Sequence, residues 1–299
     1  MPALRCSSSK LAIVGVFVVT SARVVAQLPA ELEKRAASGD PKAEFEMGIK
    51  YASGQGVRFD VAQALAWYRK AACKGYGEAE YNLAVAYHNG LGVGKDEAEA
   101  LRWYARAAEH GVPDAQFTMG RAFESGSGVP LNKATALAWY RKAEEKNRYP
   151  SAELALGDMY AVGAGTGKDP AEAMRWYQKA AEAGNVVAQC RLAGGYLFGI
   201  GVPPDSTQAA AWFRKAAAQG VTFAQYELGS MYESGEGVNQ DYAEAYFWMS
   251  LAVSLETHPT KRDEMAERRD HAGSHLTEAA LVETRERVRK WADEHPLKP

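Results

Sequence analysis

Gly90-Leu91-Gly92-Val93-Gly94-Lys95-Asp96, followed seven residues later by Trp103-Tyr104, decides the fold because the pattern recurs along the chain. Each copy has two glycines two residues apart, then a polar residue, then a tryptophan. Six copies occur in 299 residues, spaced by 36 residues except for one spacing of 37. Their tryptophans are Trp67, Trp103, Trp139, Trp176, Trp212 and Trp248. A fixed period in this range predicts stacked structural repeats.

Each copy contains the pattern of two helices joined by the glycine loop. Leu83 and Tyr87 share one face of the first helix, and Gly90 ends it because glycine adopts a left-handed conformation without a Cβ clash. Asp96 is placed to cap the second helix, and Glu99 three residues later completes a capping-box pattern. The equivalent caps are Asp60, Asp96, Asn132, Asp169, Asp205 and Asp241. The sequence therefore predicts an all-α protein.

Small residues recur where the two helices of a copy must cross. One column contains Ala100 and its equivalents, and another contains Gly120 and its equivalents. Small residues at a crossing leave room for aromatic rings, so we expect the tryptophans to face a shared interior. A regular basic column lies near the second helix C-terminus, where the helix dipole favours cations. It consists of Lys70, Arg106, Lys142, Lys179 and Lys215.

The repeat resembles the Sel1-like repeat family, a tetratricopeptide-like class. The pattern is Ala-x-Ala-Gln-x-x-Leu-Gly-x-x-Tyr-x-x-Gly-x-Gly-Val, then Asp, Ala and Trp-Tyr-x-Lys-Ala-Ala at family spacing. The stretch from Asp114 to Ala143 matches it with few gaps. The resemblance implies a right-handed α/α superhelix, or solenoid, that acts as an adaptor surface. A cysteine-rich, penicillin-binding branch of the family has paired cysteines that this chain lacks.

The repeat boundaries predict four regions. Residues 1–26 are a signal peptide, and residues 27–39 are a degenerate N-terminal capping half-repeat. Residues 40–256 hold six Sel1-like repeats, and residues 257–299 form a C-terminal helical cap. In the cap we expect a charged helix from Lys261 to about Ala272, a break at Gly273, and a last helix capped by Thr277. The last helix has a stripe of Leu281, Thr284, Val288 and Trp291, with outer pairs Glu283/Arg287 and Glu286/Lys290.

The N-terminus has the pattern of a secretory signal. Arg5 and Lys10 precede an apolar run over residues 11–19, and small residues end at Ala26. We expect cleavage after Ala26 and a periplasmic or secreted protein. The alternative is an uncleaved anchor, although the run is shorter than the ~20 residues that span a bilayer.

The cysteine positions and the net charge indicate which disulfides and which classes of partner to expect. Cys6 lies in the signal, and Cys73 and Cys190 lie several repeats apart, so no disulfide is expected. Cys190 stands in a column of large apolar residues and is expected to be a small buried one. The net charge of −2 and the scattered cations predict no nucleic-acid partner.

Three patterns imitate chemical sites. Gly163 to Asp169 resembles a phosphate loop but has the wrong spacing and no preceding strand. His271 and His275, with Glu267 one turn earlier, could bind zinc on one unbroken helix, but no fourth ligand is visible. Ser7-Ser8-Ser9-Lys10 matches the Ser-x-x-Lys nucleophile motif but lies inside the signal, and the mature chain has no other such match. We expect no catalytic residue, metal or cofactor.

The predicted function is that of a non-catalytic adaptor in the bacterial envelope or secreted from it. It would bind another protein or a peptide through variable positions of the first helices. The candidate contact residues are Lys50, Asn82, Arg121, Asp158 and Arg191. The alternatives are a binder of cell-wall glycopeptide fragments, an enzyme that acts on them, and a purely structural spacer.

Overall fold

The computed structural model describes residues 29–145 and 149–295, and every regular element in those ranges is an α-helix. The predicted all-α class is confirmed. The chain divides into two compact units, Met1–Ala152 and Glu153–Pro299. No helix within the described ranges is long and apolar enough to cross a membrane. The predicted signal peptide lies outside the described residues.

The first unit contains seven helices in its described part, followed by the start of the eighth. They are α1 (Ala30–Ala37), α2 (Pro41–Ser53), α3 (Val61–Cys73), α4 (Gly77–Asn89), α5 (Glu97–Glu109), α6 (Pro113–Ser125) and α7 (Lys133–Glu145). The next, α8 (Pro150–Val162), begins just before the boundary between the units.

The second unit continues the same succession of helix pairs and then departs from it. Its helices are α9 (Pro170–Glu182), α10 (Val186–Phe198), α11 (Ser206–Ala218), α12 (Thr222–Ser234), α13 (Tyr242–Leu255), α14 (Pro259–Ser274) and α15 (Glu278–Glu294). Within each unit, a helix packs mainly on its neighbours in sequence. The exception is α15, which packs on α13.

The loop between the paired helices is stabilised at both ends. Gly90 follows α4 with φ of 67°, and its N–H donates to Ala86. Asp96 accepts from the backbone N–H of Glu99 at 2.9 Å and so caps α5. Equivalent side-chain caps are made by Asp60, Asn132, Asp169, Asp205 and Asp241.

The second half of the predicted capping box is wrong. The backbone N–H of Asp96 donates to the carbonyl of Tyr87 at 2.9 Å, so it is not available to Glu99. The carboxylate of Glu99 instead pairs with Arg102. The same bond from the cap to the first helix occurs in every repeat, and it ties the loop to the helix that precedes it.

The closest packing between paired helices is a glycine under a tyrosine ring. A Cβ at Gly120 would lie 2.5 Å from the ring of Tyr140, and a Cβ at Gly157 would lie 2.5 Å from that of Tyr177. Only a residue without a side chain fits beneath these rings. Tyr140 is accordingly only 1% exposed.

The tryptophans pack inward but less deeply than predicted. Trp103 is 4% exposed, whereas Trp67 and Trp139 are only half-buried. The cation of the basic column lies over each of the first five indole rings, at 3.7 to 4.9 Å from the ring centroid. Cation–π attraction therefore acts on this column in addition to the helix dipole.

A buried polar column, to which the sequence analysis gave no role, joins neighbouring helices. Gln116 donates from Nε2 to the carbonyl of Ala108, at the end of the preceding helix. Gln189 and Gln225 make the same bond to their preceding helices. Glu80 occupies this column in the second repeat.

Glu80 is fully buried and has two basic partners. Its carboxylate lies 2.8 Å from the guanidinium of Arg106 and 2.6 Å from Nδ1 of His110. Both basic residues belong to the same repeat as Glu80. In these repeats the buried side chain therefore bonds either a backbone carbonyl or a cation, although Oε1 of Gln225 is buried without a hydrogen-bond partner.

The C-terminal cap has two helices, but the predicted break is wrong. Gly273 lies inside α14, where a Cβ would come within 3.0 Å of the ring of Tyr246. Here glycine permits close packing and does not interrupt the helix. Thr277 does cap α15, since its Oγ1 accepts from the N–H of Ala280 at 3.3 Å.

The predicted ion pairs along α15 are also wrong. Arg287 reaches across to Glu244 of α13 instead of pairing with Glu283. Lys290 lies 4.0 Å from Glu294, not beside Glu286. The long Arg287 side chain therefore fixes α15 to its neighbour.

The prediction that no disulfide forms is wrong at Cys73, which is disulfide-bonded. Its partner lies outside the described residues. Cys190 is a free thiol, so the two are not joined to each other, as the repeat spacing predicts.

Candidate binding site on α10 and α12

A hollow of about 590 Å³ opens between α10 and α12 in the second unit. Most of its wall is apolar, and two charged side chains reach it. The lining comprises Val187, Cys190, Arg191, Gly194, Leu197, Phe198, Ile200, Phe213, Phe223 and Glu227. Its size lies in the range of pockets that bind small ligands or side chains, roughly 300–1,000 Å³.

Three departures from the repeat pattern create the hollow. Cys190 stands where other repeats have Phe45, Tyr81, Phe117, Leu154 or Tyr226. Gly194 is the smallest member of its own column, and a Cβ added there would meet nothing within 4 Å. Phe213 replaces the usual tyrosine and so brings no hydroxyl. Missing volume and a missing polar atom together leave an apolar recess.

Large exposed apolar side chains surround the recess. Phe198 is 73% exposed, Ile200 and Phe223 are 54% exposed, and Val187 is 48% exposed. The position of Phe198 is occupied by serine in three other repeats, at Ser53, Ser125 and Ser234. A contiguous apolar patch of this kind is typical of an interaction site.

Glu227 places a carboxylate on the wall of this apolar recess. Burial raises the pKa of Glu227, and the positive charge of Arg268 lowers it by a smaller amount. Arg268 is already engaged, since it donates to Glu233 at 2.9 Å and to Tyr226. Glu227 therefore carries a desolvated charge that lacks a close counter-ion among the described residues.

The other two polar groups of the hollow are less available. The guanidinium of Arg191 lies 3.4 Å from the carboxylate of Asp158 on α8. Asp158 also accepts from the hydroxyl of Tyr177 at 2.7 Å. Burial raises the pKa of the Cys190 thiol, which makes it a weak nucleophile at neutral pH.

The five predicted contact residues do not form one site. Arg191 lines the hollow, and Asp158 holds it. Asn82 bonds to the hydroxyl of Tyr68. Arg121 is exposed on α6 in the first unit.

Lys50 is separated from the other four by its position in the repeat. It is half-buried and lies 3.4 Å from Gln55, in a column that is buried in the other repeats.

Sequence reasoning missed Phe198, Phe223 and Glu227. Phe198 and Phe223 could have been found as departures from the repeat pattern, whereas Glu227 lies in a variable column that also contains Glu46 and gave no such signal.

The histidine pair in the cap does not form a metal site. His271 bonds to Glu233 at 2.8 Å, and His275 stacks on the ring of Tyr242. Within the described residues, no group of three or more His, Cys, Asp or Glu side chains is arranged to hold a metal ion. These two histidines instead attach α14 to the sixth repeat.

The paired helices, the glycine loop and the buried aromatic columns define a helical-repeat protein. The Sel1 repeat model matches residues 41–76, 77–112, 113–147, 150–185, 186–221 and 222–256. The chain belongs to the Sel1 repeat family. Such repeats generally build scaffolds for protein interaction.

The solved structures similar to this chain include two at 33% identity. One is c5321, a protective antigen of uropathogenic Escherichia coli strains with the SLR fold, at 33% identity and a TM-score of 0.71. The match covers 88% of this chain but only 59% of the E. coli protein. The other is a Sel1 repeat protein from Oxalobacter formigenes, at 33% identity and a TM-score of 0.62, covering 75% and 89% of the two chains. No curated protein matches.

Proposed function

We propose that the chain is a non-catalytic scaffold that binds another protein or a peptide, and that it acts in the bacterial envelope or after secretion. The observation that carries the proposal is the hollow between α10 and α12, with four exposed apolar side chains around it. The repeat framework around the hollow is closely packed. The N-terminal sequence pattern supports the location.

A pair of photocrosslinking positions tests binding. Phe198 and Val162 occupy the same column, and they are 73% and 72% exposed, but only Phe198 borders the hollow. Benzoylphenylalanine placed at Phe198 should crosslink a protein in the native host, and at Val162 it should give markedly less adduct. Mass spectrometry then identifies the adduct. Failure to crosslink protein at Phe198, together with binding of labelled peptidoglycan fragments, would favour the glycopeptide alternative.

The location is tested by sequencing the N-terminus of the protein recovered from its host. A mature protein that starts at Gln27 is the expected result. Retention of Met1 would remove the proposed cleavage, and fractionation would then show whether the protein stays with the membrane.

A further inference from the structure

We propose that the hollow between α10 and α12 binds a peptide segment of a partner protein in which a bulky apolar side chain is followed closely by lysine or arginine. The apolar side chain fills the recess at Cys190 and Gly194, and the cation pairs with Glu227. This inference rests on the proposed scaffold function and names the chemistry of its ligand.

The recess favours a large apolar group. Its floor is formed by Cys190, Gly194 and Phe213, none of which presents a charged or strongly polar atom. Phe213 and Phe223 lie edge to face with their ring centroids 5.9 Å apart, so an entering ring would meet aromatic edges and faces. Filling the recess removes exposed apolar area from water on both partners.

The charge at the wall favours a cation over an anion. Glu227 is desolvated, and Arg268, the nearby cation, is held by Glu233 and Tyr226. Arg191 is paired with Asp158 at 3.4 Å. A lysine or arginine on the ligand would give the partly desolvated carboxylate of Glu227 a close counter-ion. A carboxylate at the same point would be repelled.

The geometry also explains why this repeat differs from its neighbours. In the third repeat, Phe117 fills the equivalent space and packs 5.5 Å from the ring of Tyr140. In the fifth repeat, Cys190 and Phe213 occupy those positions and the space stays open. The opening is thus specified by side chains and not by any change in the helical framework.

A peptide library displayed on phage and selected on the full-length protein tests the proposal. The expected result is enrichment of segments in which Phe, Trp, Leu or Met lies within two residues of Lys or Arg. One enriched peptide is then synthesised and its affinity measured. A version with Gln in place of the base should bind several-fold more weakly.

Variants that fill the recess should weaken binding strongly without harming the fold. Cys190→Phe introduces the side chain that other repeats carry, and Gly194→Leu enters open space. Each should lower peptide affinity by about tenfold or more, as loss of an anchor pocket does. Circular dichroism and the melting temperature check the fold. Phe198→Ser should weaken binding, and Val162→Ser is its matched control.

The charge is tested separately. Glu227→Gln should lower the affinity of the basic peptide several-fold. The basic peptide should then bind no more tightly than the version with Gln in place of the base. Glu46→Gln, at the same repeat position on α2, should change neither. Because burial raises the pKa of Glu227, affinity should fall on acidification at a higher pH than an ordinary glutamate would give.

The outcomes separate this inference from the proposed function. If peptides are enriched but Cys190→Phe and Gly194→Leu bind them normally, the hollow is not the site and the scaffold function remains. If the selected peptides are acidic, the charge assignment is wrong. If the protein self-associates and Gly194→Leu abolishes this, the occupant is a second copy. If no peptide is enriched and no protein crosslinks at Phe198, both proposals fail.

Discussion

At the scale of single residues, one amino acid has opposite environments in two helices. Gly120 lies directly beneath the ring of Tyr140, whereas Gly194 faces open space. Both are inside helices with ordinary backbone angles, so neither is required for a turn. Gly120 is therefore constrained by packing, while Gly194 leaves the recess open at a cost in helix propensity.

Substituting alanine at these two positions should have opposite effects. Gly120→Ala should destabilise the fold by about 1–3 kcal/mol, because the ring of Tyr140 must move. Gly194→Ala should stabilise it by about 0.5–1 kcal/mol, because alanine is the better helix former. Urea denaturation followed by circular dichroism measures both. Equal effects of the two substitutions would contradict the packing described for Gly120.

The buried carboxylate of Glu80 gives a second prediction at this scale. Glu80→Ala should cost about 3–5 kcal/mol, because it leaves the Arg106 guanidinium partly buried without its partner. Glu80→Gln should cost less than half as much, because glutamine already serves in this column at Gln116 and bonds a backbone carbonyl. Urea denaturation of the two variants under the same conditions compares their free energies of unfolding. A glutamine variant as unstable as the alanine variant would show that the ion pair is essential.

The residues of the candidate site were only partly predictable. Cys190 was noticed as a small residue in a large column, but it was interpreted as filling its position. Whether a smaller side chain leaves a hollow or allows collapse depends on the neighbouring helix, which the repeat pattern does not describe. Arg191 was predicted because it is a variable position of a first helix, whereas Phe198 was missed because nothing in the sequence shows that its side chain is exposed beside a recess.

At the scale of the helices, the loops explain most of the success of the sequence analysis. Aspartate caps and terminal glycines are local signals, so a single repeat is enough to place both ends of a helix. The prediction of a capping box was wrong because the backbone N–H of Asp96 donates to the carbonyl of Tyr87, nine residues before the cap, and is not available to Glu99. The predicted helix break at Gly273 was wrong for a similar reason, since the role of this glycine depends on Tyr246 on another helix.

The cap of α5 is a testable local contribution. Asp96→Ala should destabilise the protein by about 1 kcal/mol, the usual value of a lost N-cap. Asp96→Asn should be close to neutral, because Asn132 caps α7 with a bond of 3.0 Å to Thr135. Thermal denaturation compares the two. If asparagine is as harmful as alanine, the negative charge and not the hydrogen bond stabilises the helix.

At the scale of the whole molecule, successive repeats place a tyrosine hydroxyl in the interior. Burial raises the pKa of Tyr68 to about 12 and that of Tyr104 to about 12. Burial also raises the pKa values of Tyr140 and Tyr177, and hydrogen bonds to Glu124 and Asp158 raise them further. Because each of these repeats contributes a buried tyrosine, the pH dependence of the free energy of unfolding is the sum of their contributions.

Alkaline pH should therefore unfold the protein steeply. An unfolded tyrosine ionises near pH 10, whereas the folded ones hold their protons, so the stabilisation is complete below about pH 10. It is lost as the pH rises from about 10 through 12. Melting curves between pH 8 and 12, with tyrosinate absorbance at 295 nm, measure this. Tyr104→Phe should reduce the slope, and ionisation near pH 10 without unfolding would contradict the burial.

The contact between glycine and tyrosine also determines where the chain can be recombined. Gly120 and Tyr140 belong to the same repeat, as do Gly157 and Tyr177, so a complete helix pair carries both halves of its own fit. Chimaeras should therefore exchange entire repeats, with the junctions placed in the turns between one helix pair and the next. A hybrid that exchanged a single helix would set a foreign Cβ against a ring and lose its packing.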